Sequence, residues 1–371
     1  MTNAATTRGL RTRFAREVCA RGLHTSFAHK VCDLNSYPDD TPSLFGDDFE
    51  LPQARLPKSA RAKSQRTEAD PTAACLPSAS LLEIAHAMPK ALHLGTSSWS
   101  FPGWRGLVYR DACRESQLAR DGLAAYAQHP LFRSVGIDKT YYQPATREEF
   151  ARLAAQVPSG FRFLVKAWRN IVEPEPFGGG DARLFLDATA AIRECVVPAV
   201  EGLGAKCGPL LFQFPPMRRL DAPATRAFLA KLRAFLRALP TGPLYAIEVR
   251  NKTLVGAELG DLLAECSVVP CCTVHPTMPD LELQSRELAL DPSKPLVMRW
   301  MLRANHRYDE AKDLYAPFDR VAEPDDASRD ALARLARAAL GAGLGAWIIV
   351  NNKAEGSSPL SVERLARAIV A

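Results

Sequence analysis

Short apolar runs alternate with longer amphipathic stretches from Leu92 to the end of the chain. Apolar runs of this length, bounded by Gly, Pro and polar residues, are typical of strands buried on both faces of a parallel sheet. The pattern predicts eight strands, at residues 92–98, 135–142, 161–168, 209–214, 244–250, 268–274, 296–302 and 347–351.

Between most of these strands, Ala, Leu and Arg recur at spacings that place the apolar residues on one helical face. The clearest predicted helices cover residues 182–200, 222–239 and 327–340. Eight strand-helix units in about 280 residues predict an α/β fold, a TIM-type (β/α)8 barrel that covers residues 91–371. An open doubly wound sheet is the alternative, but no Gly-x-Gly-x-x-Gly follows the first strand.

Residues 1–90 carry a different pattern, with Pro, Ser, Asp and Lys around scattered apolar positions. Such a segment lacks an apolar face that would offset the entropy of ordering it, so the pattern predicts a largely disordered, flexible N-terminal extension. Its first 30 residues carry six basic groups and one acid, a bias that organelle transit peptides also show. The short apolar patch formed by Ser43, Leu44 and Phe45 is a candidate docking peptide.

The composition narrows the class of protein without identifying it. The 371 residues are 47% hydrophobic, and their net charge of +6 is too small for a polycation built to bind nucleic acid, although it leaves non-specific binding open. Nine cysteines without a Cys-x-x-Cys pair indicate a reducing compartment, so we expect a cytoplasmic protein, with organelle targeting as the alternative. No apolar run approaches the ~18 residues of a membrane span, and we expect no membrane partner.

Polar side chains fall at the carboxyl ends of strands whose other residues are apolar. A buried charge without a partner is costly, so these groups must meet one another, solvent or a ligand. In a TIM barrel the carboxyl ends of the strands converge on one mouth, where the active sites of this architecture lie. The candidate site residues at these strand ends are Asp138, Lys166, Gln213, Glu248, Arg250, Arg299, Asn351 and Asn352.

The three cations of this set outnumber its two carboxylates by one charge, which favours an anionic ligand such as a phosphate or a carboxylate. Glu248 is the candidate general acid or base, and Lys166 and Asp138 are the other catalytic candidates. A buried ring of ion pairs without any chemistry is the alternative. No His-x-His or His-Glu-x-x-His spacing indicates a metal site, and the sequence identifies no cofactor.

Two loops add candidate ligand contacts. After the first strand, Thr96 and Trp99 combine a hydroxyl group with an aromatic ring, which suits the face of a sugar or a base. A loop that only packs over the barrel mouth is the alternative. After the last strand, Ser357 or Ser358 is predicted to cap a helix begun by Pro359, and the free backbone amides of that helix would form an anion site. Ordinary capping without a ligand is the alternative.

In their order along the chain, the strand-end motifs resemble the domain of unknown function 72, the YecE-like family. The matching stretches are Gly95-Thr96-Ser97-Ser98-Trp99, Pro102-Gly103-Trp104, Thr140-Tyr141-Tyr142, Phe161-Arg162-Phe163 with Lys166, Gln213-Phe214-Pro215-Pro216, Glu248-Val249-Arg250, Arg299 and Asn351-Asn352-Lys353. The resemblance implies a TIM-type barrel, makes Tyr142 a candidate ligand contact and implies no reaction.

The chain departs from the family pattern in its second strand. Relatives usually carry Glu-x-Asn before the Thr-aromatic-Tyr motif, where this chain has Gly136 and Asp138. Side chains on a strand repeat every second position, so the carboxylate has moved two residues along one face, or this branch has lost the acidic role.

The sequence therefore predicts a barrel whose mouth binds a small polar ligand, either anionic or sugar-like. The first hypothesis is an enzyme, a hydrolase or an isomerase, that acts on a phosphosugar or a sugar acid by acid/base chemistry. The second hypothesis is a non-catalytic protein or scaffold that uses the same basic pocket to hold a ligand or a nucleic acid. A fold does not determine a function, so both hypotheses stay open.

Overall fold

The protein is described by a computed structural model at residues 72–174, 181–218, 220–303 and 306–371. The strands are β1 (Leu92–Thr96), β2 (Ser134–Ile137), β3 (Arg162–Lys166), β4 (Cys207–Gln213), β5 (Tyr245–Glu248), β6 (Val269–Val274), β7 (Leu296–Trp300) and β8 (Ala346–Val350). Each strand pairs in parallel with the next, and β8 pairs with β1, which closes the barrel. The predicted TIM-type barrel is confirmed.

Alternate residues of each strand face the barrel interior and the surrounding helices. The interior apolar cluster consists of Leu164, Leu211, Ala246, Val269, Cys271, Val297 and Ile349. Their strand neighbours, such as Phe163 and Phe212, belong to the larger core between the strands and the helices. Because side chains repeat every second position, the interior series continues into the polar strand ends Lys166, Gln213, Glu248, Arg299 and Asn351.

Helices of very different length cover the strands on the outside. They are α1 (Ala79–Ala87), α2 (Glu115–Asp121), α3 (Leu123–Tyr126), α4 (Arg147–Ala155), α5 (Arg169–Val172), α6 (Ala188–Ala191), α7 (Val197–Leu203), α8 (Ala222–Ala238), α9 (Ala257–Glu265), α10 (Leu281–Glu287), α11 (Tyr308–Tyr315), α12 (Asp326–Gly341) and α13 (Ser358–Val370). The predicted helices at 222–239 and 327–340 match α8 and α12 to within one residue at each end.

The helix predicted at 182–200 is interrupted in the structure. Ala182–Leu184 forms a 3-10 turn, and the positive φ of 56° at Leu186 ends it. Ile192–Val196 is π-helical and precedes Pro198, which has no backbone N–H to donate to the preceding turn. The apolar face predicted from spacing is present, but the backbone that carries it is not one continuous α-helix.

The folded part of the chain begins before the boundary predicted at residue 91. Helix α1 packs against α13, with Ile84 and Met88 buried in the core. The Ser78 side chain accepts a hydrogen bond from the Leu81 backbone N–H and caps α1, and the Arg367 guanidinium donates to Ser80 Oγ at 2.8 Å. Residues 72–90 therefore belong with the barrel, whereas the candidate docking peptide at 43–45 and the basic N-terminal segment lie outside the described residues.

Candidate functional site

A cavity of about 300 Å³ opens at the carboxyl ends of the strands. Its wall combines the interior-facing strand ends with residues of the following loops and of α2 and α11. The lining residues are Ser97, Ser98, Trp99, Ser100, Phe101, Glu115, Ala119, Gly136, Ile137, Asp138, Lys139, Tyr142, Lys166, Gln213, Arg250, His275, Arg299, Met301, Leu302, Tyr308 and Asn351. Eight of the eleven residues predicted for the site line this cavity, and Thr96, Glu248 and Asn352 do not.

Glu248 lies beneath the cavity wall and holds two arginines. Its Oε1 accepts hydrogen bonds from Arg250 Nε at 2.6 Å and Arg250 Nη2 at 2.5 Å, and its Oε2 accepts from Arg299 Nη1 at 3.0 Å. All three side chains are at least 95% buried. An ion pair at this depth is held in one geometry, so the carboxylate fixes where both guanidinium groups point.

The ionisation of Glu248 follows from this pairing. Burial alone would raise the pKa of Glu248, but the charges of Arg250 and Arg299 outweigh it and lower that pKa to about 2. A carboxylate that is this weak a base, with both oxygens occupied and no exposed surface, is poorly suited to exchange protons with a ligand. Glu248 therefore pairs with two arginines from different strand ends, and the acid/base role that the sequence suggested for it stays a prediction.

Lys166 ends β3 and reaches the cavity from the opposite side of the barrel. Its Nζ lies 3.9 Å from the centroid of the Tyr141 ring, and in the described part of the chain no carboxylate oxygen lies within 4.0 Å of it. Burial lowers the pKa of the Lys166 amine from 10.5 to about 8, against the opposing effect of the Asp138 charge. Lys166 is therefore a cation held at the cavity without a direct ionic partner.

Gln213 ends β4 and is 2% exposed. Its Oε1 accepts a hydrogen bond from Arg299 Nη1 at 3.3 Å, which orients the amide so that Nε2 is the free end. Nε2 has no hydrogen-bonding partner among the described residues. A buried donor without an acceptor costs free energy, so this amide adds a second unused donor to the cavity wall.

Asp138 follows β2 directly and is the first residue of a 3-10 turn, Asp138–Tyr141. Its carboxylate is 32% exposed and lies 3.4 Å from Arg299 Nη2. Gly136, two residues earlier, also lines the cavity. The strand predicted at 135–142 thus ends at Ile137, yet its turn places the Asp138 carboxylate at the cavity wall, on the same arginine that Glu248 holds.

The loop after β1 divides into structural and cavity-facing residues. Trp99 lines the cavity, and its indole N–H donates to the Leu118 carbonyl at 3.1 Å, which fixes the ring. Thr96 is fully buried and faces the other way: its Oγ1 donates to the Ser98 carbonyl at 2.6 Å and lies 2.9 Å from Tyr126 Oη. Thr96 fixes the start of the loop and does not reach the cavity.

The two asparagines after β8 also face opposite sides. Asn351 lines the cavity, and its Nδ2 donates to Ser97 Oγ at 2.8 Å. Asn352 is 1% exposed, and its Oδ1 accepts from Trp104 Nε1 at 3.1 Å and from the Ser358 backbone N–H at 2.9 Å. Asn352 is therefore placed to hold the N-terminus of α13 rather than a ligand.

The anion site predicted at the start of α13 is occupied by the protein itself. Ser357 occupies the N-cap position but makes no side-chain capping bond, and it is fully buried. Ser358 Oγ donates to Asn352 Oδ1 at 2.8 Å. None of these residues lines the cavity, and Asn352 binds the Ser358 backbone N–H, one of the amides of the first turn of α13.

Several lining residues were not predicted. Ser97 continues the interior series of β1, and Met301 follows β7 directly, so both share the strand-end signal of the predicted set. Phe101 and Tyr308 come from a loop and from α11, where no strand-end rule applies. Phe101, Met301 and Tyr308 add apolar surface to the cavity wall. The charged part of that wall, here called the floor, is formed by the strand-end residues Asp138, Lys166, Gln213, Arg250 and Arg299.

Tyr142 and His275 lie toward the rim of the cavity. Tyr142 is 39% exposed, and its ring meets that of Tyr141 edge to face at 5.3 Å. Burial and the charge of Arg250 lower the pKa of His275 to about 3, so its imidazole is neutral at pH 7. His275 Nδ1 lies 2.9 Å from Thr277 Oγ1.

The comparisons with known proteins concern the whole barrel. A family model described as "Protein of unknown function DUF72" matches residues 93–371. The chain belongs to the DUF72 family. No curated protein matches the chain.

Two solved structures of DUF72 family proteins are similar to this chain. A DUF72 family protein from Enterococcus faecalis V583 is 20% identical, with 75% of this chain and 95% of that chain covered and a TM-score of 0.52. A DUF72 family protein from Thermotoga maritima MSB8 is 18% identical, with 74% and 96% covered and a TM-score of 0.48. The Enterococcus structure supports the fold of this DUF72 chain and, at this identity, carries no information about its ligand.

Metal ligands and membrane-spanning helices are two further features to consider in the described residues of this DUF72 protein. These residues contain no group of three His, Cys, Asp or Glu side chains that could hold a metal ion. His306 does not line the cavity, and its Nε2 lies 2.6 Å from Glu323 Oε2. No helix in the same ranges has the length and apolar character needed to cross a membrane.

Proposed function

We propose that this DUF72 protein is an enzyme that acts on a small, oxygen-rich anion of the phosphosugar or sugar-acid class at the carboxyl end of its barrel. The observation that carries the proposal is the excess of donors at the cavity floor. Lys166 has no ionic partner within 4.0 Å among the described residues, and the free amide of Gln213 has no acceptor. A phosphate or carboxylate group supplies the acceptors that both donors lack.

The charge balance of the floor supports an anion over a neutral ligand. Lys166, Arg250 and Arg299 carry three positive charges, and Glu248 and Asp138 carry two negative charges, which leaves an excess of one. Because Glu248 pairs with Arg250 and Arg299, both side chains are fixed in one rotamer. Their remaining N–H groups are therefore already oriented. Groups that are oriented before a ligand arrives stabilise charge most effectively.

In this proposal the proton-transfer role moves from Glu248 to Asp138. Asp138 is the partly exposed carboxylate of the ion-pair cluster, and it faces the cavity. It is close enough to Arg299 to be oriented, and it keeps surface that a ligand can reach. Glu248 then acts as a positioning residue that fixes Arg250 and Arg299.

Calorimetric titration of the full chain with inorganic phosphate, glucose 6-phosphate and gluconate tests the binding step. Lys166→Met should weaken the affinity for the tightest of these anions by about ten- to a hundredfold, because a hydrogen bond to a charged group contributes about 1.5–3 kcal/mol. Lys294→Met, a matched change far from this cavity, should leave that affinity unchanged. Equal affinities in all three proteins, or no binding, would contradict the proposal.

Turnover separates the enzyme from the non-catalytic alternative. Glucose 6-phosphate or gluconate, if it binds, should be converted by the parent protein, and Asp138→Asn should abolish conversion while the anion still binds. Tight binding by the parent protein without conversion of any bound anion would instead favour the ligand-holding or scaffold function.

A further inference from the structure

Lys166 combines three features that suit a nucleophilic amine as well as a contact to an anion. Its Nζ packs on the face of the Tyr141 ring, lies at the cavity wall, and has no carboxylate within 4.0 Å in the described part of the chain. Lysines that only bind anions are usually solvated or balanced by a carboxylate, which keeps them protonated. Here the surroundings disfavour the charge.

We propose that Lys166 forms an imine with a small anion that carries a ketone or aldehyde carbonyl group. This inference rests on the proposed function, because the anionic group of the ligand is held by the arginines and the Gln213 amide of the same floor. It narrows the substrate class to carbonyl compounds and makes Lys166 a catalytic residue rather than an electrostatic contact.

The state of the amine supports this chemistry. With a pKa of about 8 in place of 10.5, the neutral fraction of Lys166 at pH 7 is about 300 times that of an ordinary lysine. The charged groups that set this balance are Asp138 and Glu248, which favour the ammonium form, and Arg299 and Arg250, which oppose it. The neutral amine is the nucleophile in imine formation.

The step is balanced without any further reactant. The nitrogen lone pair attacks the carbonyl carbon, a C–N bond forms, and the carbonyl π pair moves to oxygen, which takes up one of the two protons of the ammonium nitrogen formed by the attack. Nitrogen then loses its proton to Asp138 or water, the C–O bond breaks, and water leaves as the C=N bond forms. Asp138 is the carboxylate at the cavity that can return this proton to the departing hydroxyl group.

Reductive trapping tests the proposal on the full chain. Pyruvate is incubated with the protein and cyanoborohydride at pH 7, and the modified lysines are located by peptide mass mapping. Lys166 should be labelled at least about ten times faster than Lys294, since its larger neutral fraction outweighs its lower basicity. Lys166→Met should lose the fast label, and Lys294→Met should retain it.

Lactate provides the matched ligand, because it has the carboxylate of pyruvate and a hydroxyl group in place of the carbonyl. Lactate should slow labelling of Lys166 and should not itself be trapped. Labelling of Lys166 no faster than of Lys294, or labelling that lactate does not affect, would overturn the proposal. If anions bind and Lys166→Met lowers their affinity, but Lys166 is not labelled, the anion site is supported and imine formation is contradicted. If no anion binds, the proposed function itself is contradicted.

Discussion

The two ends of the barrel interior bury polar side chains in different ways. At the amino end, His93 stacks on Trp347 with ring centroids 4.7 Å apart and planes 15° from parallel. Neither His93 Nδ1 nor Trp347 Nε1 has a hydrogen-bonding partner among the described residues. Burial, with the nearby charge of Arg162, lowers the pKa of His93 to about 4, so this end is closed by a neutral aromatic stack.

At the carboxyl end, the same interior series carries full charges. Arg299 and Arg250 stay charged because Glu248 pairs with both, and the remaining donors face a cavity. Burial alone therefore does not identify a binding site, since both ends of the barrel contain buried polar atoms without partners among the described residues. The carboxyl end differs because its donors exceed its acceptors and have space in front of them, which is the arrangement that a ligand completes.

The largest effect on stability is expected from a substitution at the charged, carboxyl end of the barrel. Glu248→Gln should lower the free energy of unfolding by about 3–5 kcal/mol, because it leaves two buried guanidinium groups without their carboxylate. Glu265→Gln is the matched control: Glu265 also pairs with two arginines, Arg233 and Arg237, but is 39% exposed, so its loss should cost about 1 kcal/mol or less. Urea unfolding of both variants makes the comparison, and equal losses would show that the Glu248 cluster is no more than a solvated ion pair.

The next effect concerns the amino end of the barrel, where the free energy of unfolding should depend on pH through His93. Because the pKa of His93 is about 4 in the folded chain and 6.5 when unfolded, the unfolded chain binds the additional proton between these values. Stability should therefore fall as the pH is lowered from about 6.5 to about 4, and the His93 share of that loss is at most about 3 kcal/mol.

His93→Phe keeps a ring on Trp347 and removes the titrating group, so its unfolding free energy should fall less steeply over this range than that of the parent. Urea titrations at a series of pH values measure the difference. His86→Phe, at an exposed position of α1, serves as the control. Parallel curves for His93→Phe and the parent would mean that His93 is protonated as readily in the fold as in the unfolded chain.

The sequence predicted the barrel well because strand-length apolar runs and their order along the chain are local signals. It also brought together most of the site, since polar residues at strand ends converge whenever a parallel barrel closes. Thr96 and Asn352 were predicted to reach the site but do not line the cavity, and the sequence already indicated why. Each is one position out of phase with the interior-facing residues of its strand. Applying the two-residue period to β1 and β8 would have selected Ser97 in place of Thr96 and Asn351 without Asn352.

Other parts of the site depend on contacts between distant segments. The strand-end pattern allows Glu248 to pair with Arg250 two residues away, but it does not indicate that Arg299, which lies on β7, approaches across the mouth to occupy the second oxygen. Phe101 and Tyr308 reach the cavity from a loop and a helix whose paths are set by tertiary packing. The early start of the fold at α1 was missed because nine residues with a modest apolar face form a stable helix only when α13 covers them.

The smallest effect is expected from substitutions at the start of α13, and it tests whether the anion binds there or in the cavity. A serine that caps a helix contributes about 1 kcal/mol, and its loss would also weaken an anion bound at that N-terminus. Ser357 Oγ is buried without a partner in the described chain, so Ser357→Ala should leave the unfolding free energy unchanged or raise it by less than about 1 kcal/mol.

Asn352→Ala, on the other hand, removes the acceptor shared by Trp104 and Ser358 and should cost about 1–3 kcal/mol. Neither variant should change the affinity for inorganic phosphate, because neither residue lines the cavity at the strand ends. Thermal unfolding and calorimetric titration of the two variants provide both readouts. A loss of phosphate binding in Ser357→Ala would move the anion to the helix terminus and leave the donors of Lys166 and Gln213 without their proposed ligand.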